Sequence, residues 1–275
     1  MSRVERFGPQ AGSFDRRAGL APEVGRAVAR ALLELCEARP GDLVLELGCG
    51  TGTIGEHLAA GRVGYLGIDL SRPMLTVFGR KLADRAVVPR LVQADADAAW
   101  PVRPAAITAV FASRVVHLLD VERVAIECQR VCRPGGWLIV GRVVRDALSL
   151  RSRLRQERLH QLAELGVTPR SGGEAAQRLI AACTGRGAVP LPPRVVASWR
   201  GSTTAEQVLR GWEQQPAMAG ATIAADMRAA VIASVRSWAR RELGDLQRAE
   251  PFTERYRLEG VRFAVSRAVW GAERG

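Results

Sequence analysis

The sequence predicts an α/β fold in which a parallel sheet, covered by helices on both faces, occupies the first half of the chain. Short and nearly continuous apolar runs recur between residues 43 and 143, helical patterns alternate with them, and a glycine-rich turn follows the first run at once. Strands that are apolar throughout are buried on both faces, which requires helices above and below the sheet.

The elements follow in order. Residues 20–38 place Val24, Val28, Leu32, Leu33 and Leu35 at helical spacing. Pro40-Gly41-Asp42 ends that helix and introduces a first strand over 43–47, followed by glycines and the helical stretch GEHLAA. A second strand fits 64–68 and stops at Asp69. Ser71-Arg72-Pro73 then starts a helix to about Leu82, with proline in the first turn, where its missing N–H has no partner to lose. A third strand fits 87–92 and ends at Ala94-Asp95; a fourth fits 107–112, with a helix over about 120–131. The turn Arg133-Pro134-Gly135-Gly136 leads into a fifth strand over 137–143. After residue 145 the alternation stops. Helical patterns cover 146–165, 171–186, 203–214 and 224–242, and Pro190-Leu191-Pro192-Pro193 breaks the chain before a strand over 194–199. Residues 256–269 read as a last strand or a hairpin. Three regions result: an N-terminal helical segment (1–39), an α/β core (40–145), and helical insertions forming a cap together with the last strands (146–275).

Bulk properties exclude several classes. The chain has 275 residues, 47% hydrophobic and 25% charged, which excludes disordered and collagen-like chains. It contains no run of about 18 uncharged apolar residues, so no membrane span is expected. The stretch MSRVERFGPQAGSFDRR lacks the apolar centre of a secretory leader, and the cytoplasm is the expected location. Cys36, Cys49, Cys128, Cys132 and Cys183 form no CxxC pair and have no histidines at zinc-finger spacing; they read as core thiols, and no metal site is expected. The spacing of Cys128 and Cys132 would put them on one helix face. The net charge of +12 comes from arginine, since Lys81 is the only lysine among 40 basic residues. These arginines form no compact basic run, and charge alone does not establish a nucleic-acid partner.

The chemistry starts at Glu46-Leu47-Gly48-Cys49-Gly50-Thr51-Gly52. Glycines after a strand let the backbone turn sharply and let a ligand approach the peptide groups, and the next helix adds unpaired N–H donors at the same place. By itself the turn is ambiguous, because Gly50, Gly52 and Gly55 also satisfy the dinucleotide pattern GxGxxG. Asp69 closes the second strand, where a carboxylate can accept both hydroxyls of a ribose. Asp95-Ala96 closes the third, where an adenine edge would lie beside that ribose.

Taken with Gly67-Ile68-Asp69-Leu70-Ser71-Arg72-Pro73-Met74-Leu75 and Arg130-Val131-Cys132-Arg133-Pro134-Gly135-Gly136, these blocks resemble class I S-adenosylmethionine-dependent methyltransferases of a broad bacterial type, over residues 14–143. The resemblance implies a Rossmann-like seven-stranded methyltransferase sheet with the last strand antiparallel, S-adenosyl-L-methionine as cofactor and a small-molecule acceptor. It implies further that Gly48, Gly50 and Gly52 line the methionine moiety and that Glu46 steadies the loop. Asp69 would hold the ribose, Leu70 and Met74 would pack on adenine, and Asp95 and the Ala96 N–H would meet the adenine edge. Ser113 would border the methionine end, and Phe14 would cover the cofactor from the N-terminal side. Residue by residue, plainer readings stand beside these: strand-end caps for Asp69 and Asp95, core for Met74, a structural turn for Gly135 and Gly136.

Transfer from a sulfonium needs no protein nucleophile; the protein chiefly aligns the acceptor, and a base matters only for a protonated acceptor. His117, after the fourth strand, is the candidate base or acceptor contact, the competing reading being a helix-start histidine bonded to Asp120. Trp199, Trp212, Met218 and Trp238 suit an aromatic or lipid-like acceptor and equally suit a cap core. Arg151, Arg155 and Arg158 share a helix face that reads first as solvated and second as a guide for an anionic acceptor. Two other functions fit part of the sequence. A nicotinamide-dependent oxidoreductase would use the GxGxxG glycines but leaves Asp95 and the Pro-Gly-Gly turn unexplained. A methyltransferase-like binding or regulatory protein, possible RNA association included, would have no need of the cofactor residues.

Overall fold

The computed structural model describes residues 11, 15, 20–83, 90–168, 172–214, 218 and 223–265. Helix α1 (Pro22–Leu35) precedes β1 (Leu43–Leu47), α2 (Gly55–Leu58), β2 (Gly64–Asp69), α3 (Arg72–Lys81), β3 (Arg90–Gln93) and β4 (Ile107–Ser113). A 3-10 turn (Val116–Leu118), α4 (Val121–Val131) and β5 (Cys132–Arg145) follow. Helices α5 (Leu150–Glu164) and α6 (Gly172–Thr184) come before β6 (Val189–Thr203), and α7 (Ala205–Glu213) and α8 (Ala225–Leu243) before β7 (Glu250–Arg262).

The sheet has seven strands in the order β3-β2-β1-β4-β5-β7-β6. Strands β1 to β5 pair in parallel, and β7 runs antiparallel to both β5 and β6. Strand order reverses between β1 and β4, and ligands of open α/β sheets bind at the strand C-termini beside such a reversal. The expected α/β sheet is therefore present, antiparallel last strand included.

Alternation along each strand sorts the core into two layers. Leu45, Leu47, Ile68, Val110 and Leu138 face α4 and α6, meeting Val124, Cys128, Ala176 and Leu179. Val44, Tyr65, Phe111, Ile139 and Tyr256 face α1 and α3, meeting Val28, Leu32, Leu75 and Phe78. A third core joins α5, α7 and α8 through Leu154, Leu209, Val231 and Val235. Helix α6 thus covers the sheet, while the other three late helices share a core of their own.

Local chemistry explains the boundaries. Pro22 and Pro73 stand in the first turns of α1 and α3. The Asp120 side chain caps α4 by accepting from the Glu122 and Arg123 amides, and Thr204 and Gln207 close a capping box on α7.

Some expectations need correction. The proline stretch does not precede the sixth strand but lies in it. On the outer edge of the sheet a missing N–H breaks no ladder, and a register shift between Leu191 and Arg194 accommodates Pro192 and Pro193. Strand β7 begins at Glu250, six residues before the expected start at residue 256, and residues 266–269 of the expected run lie outside the described residues. Part of the expected third strand, residues 87–89, also lies outside them. Cys128 and Cys132 do not share a helix, because Cys132 opens β5; all five thiols are free and buried.

Candidate functional site

Three alternate glycines of the loop, Gly48, Gly50 and Gly52, take positive φ values of 61°, 54° and 80°. This left-handed backbone is costly for any residue carrying a Cβ. Packing separates the three. A Cβ on Gly52 would lie 2.1 Å from the Phe78 ring, and one on Gly48 would lie 2.5 Å from Val115. Among the described residues, a Cβ on Gly50 would meet nothing nearer than the Gly48 carbonyl at 4.0 Å. The outer glycines are dictated by the protein's own side chains, whereas Gly50 faces open space. Gly55, the last member of the dinucleotide spacing, has its own packing reason: its Cβ would meet the Tyr65 hydroxyl at 2.3 Å and Glu46 at 2.6 Å.

The strand tips hold this loop. The Asp69 carboxylate accepts from the Gly50 and Ser71 amides, each at 2.8 Å, so the tip of β2 fixes the open glycine directly. Burial raises the Asp69 pKa, and these two hydrogen bonds oppose it. Glu46, on β1, is 3% exposed and accepts from the Tyr65 hydroxyl at 2.6 Å. Burial pushes its carboxyl up to about 8; Tyr65 and Arg114 pull it down, and Asp69 pushes it further up. At the tip of β3, Asp95 accepts from the Asp97 amide at 2.9 Å in a local turn. Ala96 is buried, and its carbonyl accepts from the Trp100 indole at 3.0 Å. Leu70 is half-buried just past β2, and Met74 is buried on α3.

Beyond β4, the Ser113 hydroxyl shares a 2.6 Å hydrogen bond with Tyr256 of β7. A Cβ on Gly141 would lie 2.3 Å from that phenol, so glycine is needed there to admit it. Burial raises the Tyr256 pKa, with Ser113 and Arg114 opposing. Arg114 follows at φ 58°, its pKa lowered by burial. His117 lies half-buried in the 3-10 turn, near the start of α6, where a Cβ on Gly172 would be 3.9 Å from its Nδ1. Asp120 caps α4.

Phe14 lies outside the described residues. Its neighbour Asp15 reaches the glycine loop, accepting from Thr51 at 2.5 Å, from Thr53 at 3.4 Å and from Lys81 at 2.6 Å. Burial pushes the Asp15 carboxyl up, but Lys81, Thr51 and Thr53 together outweigh it and leave it below its ordinary value.

The remaining candidates resolve into packing. Arg133 pairs with Asp42 at 2.6 Å, and a Cβ on Gly136 would strike three carbonyls, so the Pro-Gly-Gly turn is structural. Met218 is buried in the third core, Trp212 and Trp238 pack against it, and Trp199 packs on the α1 side of the sheet. The expectation that Arg151 and Arg158 belong to a solvated face is overturned. Arg151 reaches Glu254 and stacks on Phe252, and Arg158 is buried over Trp212; only Arg155 of the three is exposed. Their rings and carboxylate arrive from distant parts of the chain, which helix spacing cannot show.

Several site residues escape a motif reading: Arg114, Asp15 with Lys81, and the only two tyrosines of the chain. Tyr65 and Tyr256 both lie buried beneath the strand tips, and each bonds a residue of the site. For Tyr65, a hydroxyl at an inward position of a largely apolar strand was the available signal; Tyr256 lies among charged residues of β7 and carries no such signal. No group of three or more His, Cys, Asp or Glu residues that could hold a metal exists among the described residues.

An open glycine bend tied to an aspartate at the next strand tip, on a 3-2-1-4-5-7-6 sheet, is the arrangement that the resemblance to class I S-adenosylmethionine-dependent methyltransferases implies. Residues 45–140 match the family model described as "Methyltransferase domain", and the chain carries that domain. It is 38% identical over 133 residues to nocamycin O-methyltransferase of Saccharothrix syringae, covering 45% of this chain and 47% of that protein. It is 34% identical over 112 residues to ubiquinone biosynthesis O-methyltransferase of Thiobacillus denitrificans, covering 40% of this chain and 47% of that one. The chain thus matches about half the length of these curated relatives. A putative methyltransferase from Bacillus halodurans superposes with a TM-score of 0.58 at 13% identity, covering 86% of this chain and 98% of that one, a likeness of fold.

Proposed function

We propose that the chain transfers a methyl group from S-adenosyl-L-methionine to a small-molecule acceptor. The observation that carries this reading is Gly50: a left-handed glycine facing open space, its amide held by the Asp69 carboxylate. A Cβ would fill the cradle, and the carboxylate beside it keeps lone pairs beyond the two used by backbone amides. These residues fit the cofactor.

Gly48, Gly50 and Gly52 line its methionine portion, Asp69 accepts from the ribose hydroxyls, and Asp95 with the Ala96 amide meets the adenine edge against Leu70 and Met74. Glu46 steadies the loop from beneath. Ser113, held by Tyr256, borders the methionine end, and Phe14 covers the site. When bound, the cofactor supplies an electrophilic methyl on a sulfonium, open to in-line attack by an acceptor lone pair. The protein's contribution is alignment and exclusion of water. Fixing two reactants in that geometry supplies an effective molarity of about 10⁵–10⁸ M. His117 contacts the acceptor and removes a proton where the acceptor carries one. Both named relatives are O-methyltransferases, which supports an oxygen acceptor here.

The test is incubation with methyl-labelled cofactor and separate metabolite and RNA pools. The label is expected in a small molecule; labelled RNA would move the substrate class, and no labelled product would favour a binding role. With the acceptor found, His117→Ala is expected to lower turnover by about 10²–10⁴-fold. Unchanged turnover removes His117 as a base.

A further inference from the structure

In the third core a buried charge has no carboxylate partner among the described residues. Arg158, on α5, is 9% exposed. Its guanidinium lies over the Trp212 ring, 4.2 Å from the centroid. Among the described residues no carboxylate pairs with it, and its buried Nε has no hydrogen-bond partner. Arginines earlier on the same helix are answered: Arg151 reaches Glu254 at 3.1 Å and Arg153 reaches Glu250 at 2.6 Å. Arg158 lies on α5 between Leu154 and Leu162, which share the third core with Leu209, Met218 and Val235, and Trp212 packs against that core.

Burial lowers the Arg158 pKa to about 10, with Arg155 adding to the fall, so the group is a cation at neutral pH. The ring beneath attracts a cation but is no substitute for an oxyanion: the buried Nε keeps its N–H, and no salt bridge from the fork to a described residue is present. The donors of that fork are planar and paired, the shape that grips a carboxylate or phosphate with two parallel hydrogen bonds. Topology places the group usefully. Helix α5 leaves the end of β5, and α7 and α8 join the end of β6 to the start of β7, which runs antiparallel to both. All three helices therefore stand past the strand tips, on the side where the glycine loop lies.

We propose that Arg158, backed by Trp212, is a buried oxyanion site in the cap that takes the carboxylate or phosphate group of the acceptor. The word acceptor rests on the methyltransferase reading; the anion site does not. An oxyanion there would meet the fork's donors and neutralise the buried charge, while the apolar walls would hold the hydrocarbon part of the same molecule.

The test is thermal melting at constant ionic strength, with inorganic phosphate or benzoate replacing chloride. The unaltered protein is expected to melt roughly 2–5 °C higher in a saturating oxyanion. A rise with phosphate alone assigns a phosphate ligand, and a rise with benzoate alone a carboxylate. Arg158→Met is expected to melt no lower than the unaltered protein in chloride, since an apolar side chain replaces an unanswered buried charge, and to show no oxyanion response. Arg158→Lys is expected to keep part of the response. Hydrogen exchange on the unaltered protein decides the matter if the variants fail to fold: the oxyanion should slow exchange in α5 and leave the glycine loop unchanged. No response to either anion, or an equal response in Arg158→Met, overturns the proposal. S-adenosylhomocysteine is titrated alongside and should bind the unaltered protein and Arg158→Met alike; failure with both would strike the methyltransferase reading and leave the anion result intact.

Discussion

At the strand tips, the buried Glu46 carboxyl and the half-buried Asp69 carboxylate each accept hydrogen bonds from the surrounding sheet and loop; in the cap core, Arg158 is buried against Trp212 with no carboxylate partner among the described residues. The first region is a site built before its ligand arrives, with acceptors fixed and one glycine left open. The second leaves the buried Arg158 Nε without a hydrogen-bond partner beside an apolar core. The contrast teaches that a preformed site and an unanswered charge can mark two ends of one binding region.

The largest expected effect lies at the glycine loop. Gly50→Val should abolish S-adenosylhomocysteine binding, an affinity loss above about 100-fold, while costing the fold only the left-handed backbone penalty of roughly 1–2 kcal/mol. Gly52→Val adds a collision with the Phe78 ring and should destabilise the fold far more. Calorimetry and melting of both variants would separate them, and equal loss of stability would show that Gly50 faces no special opening.

Next comes pH. The Glu46 carboxyl is raised by burial from 4.5 to about 8, so the folded chain holds a proton there that the unfolded chain releases. Stability should therefore fall as pH rises from about 4.5 to about 8, by an amount on the order of a few kcal/mol, and Glu46→Gln should flatten that slope in denaturant titrations. A slope unchanged in Glu46→Gln would assign it elsewhere.

Smaller still is Tyr256→Phe, which keeps the ring and removes the hydroxyl from Ser113. The expected cost is about 1 kcal/mol in stability. A few-fold weaker cofactor affinity should accompany it, because Ser113 would lose its fixed orientation. Lost stability with unchanged affinity would make the pair purely structural.

How much of this could be read from residues alone depended on where the information sits. Strands β1, β2 and β4 and the residues at their tips follow from short local patterns, an apolar run closed by glycine or aspartate, and these appear at their expected places. The sixth strand was obscured because edge position, which only the assembled sheet reveals, is what lets Pro190, Pro192 and Pro193 stay in it. Tyr256 reaches Ser113 across 143 positions of sequence, and Arg158 meets Trp212 from another helix. Such pairings come from strand order and helix packing, which no local window contains.

The most direct measurement is calorimetric titration with S-adenosylhomocysteine and, separately, with NAD. One S-adenosylhomocysteine per chain is expected, with binding lost in Gly50→Val and no heat from NAD. Tight NAD binding with none of S-adenosylhomocysteine would contradict the methyltransferase reading.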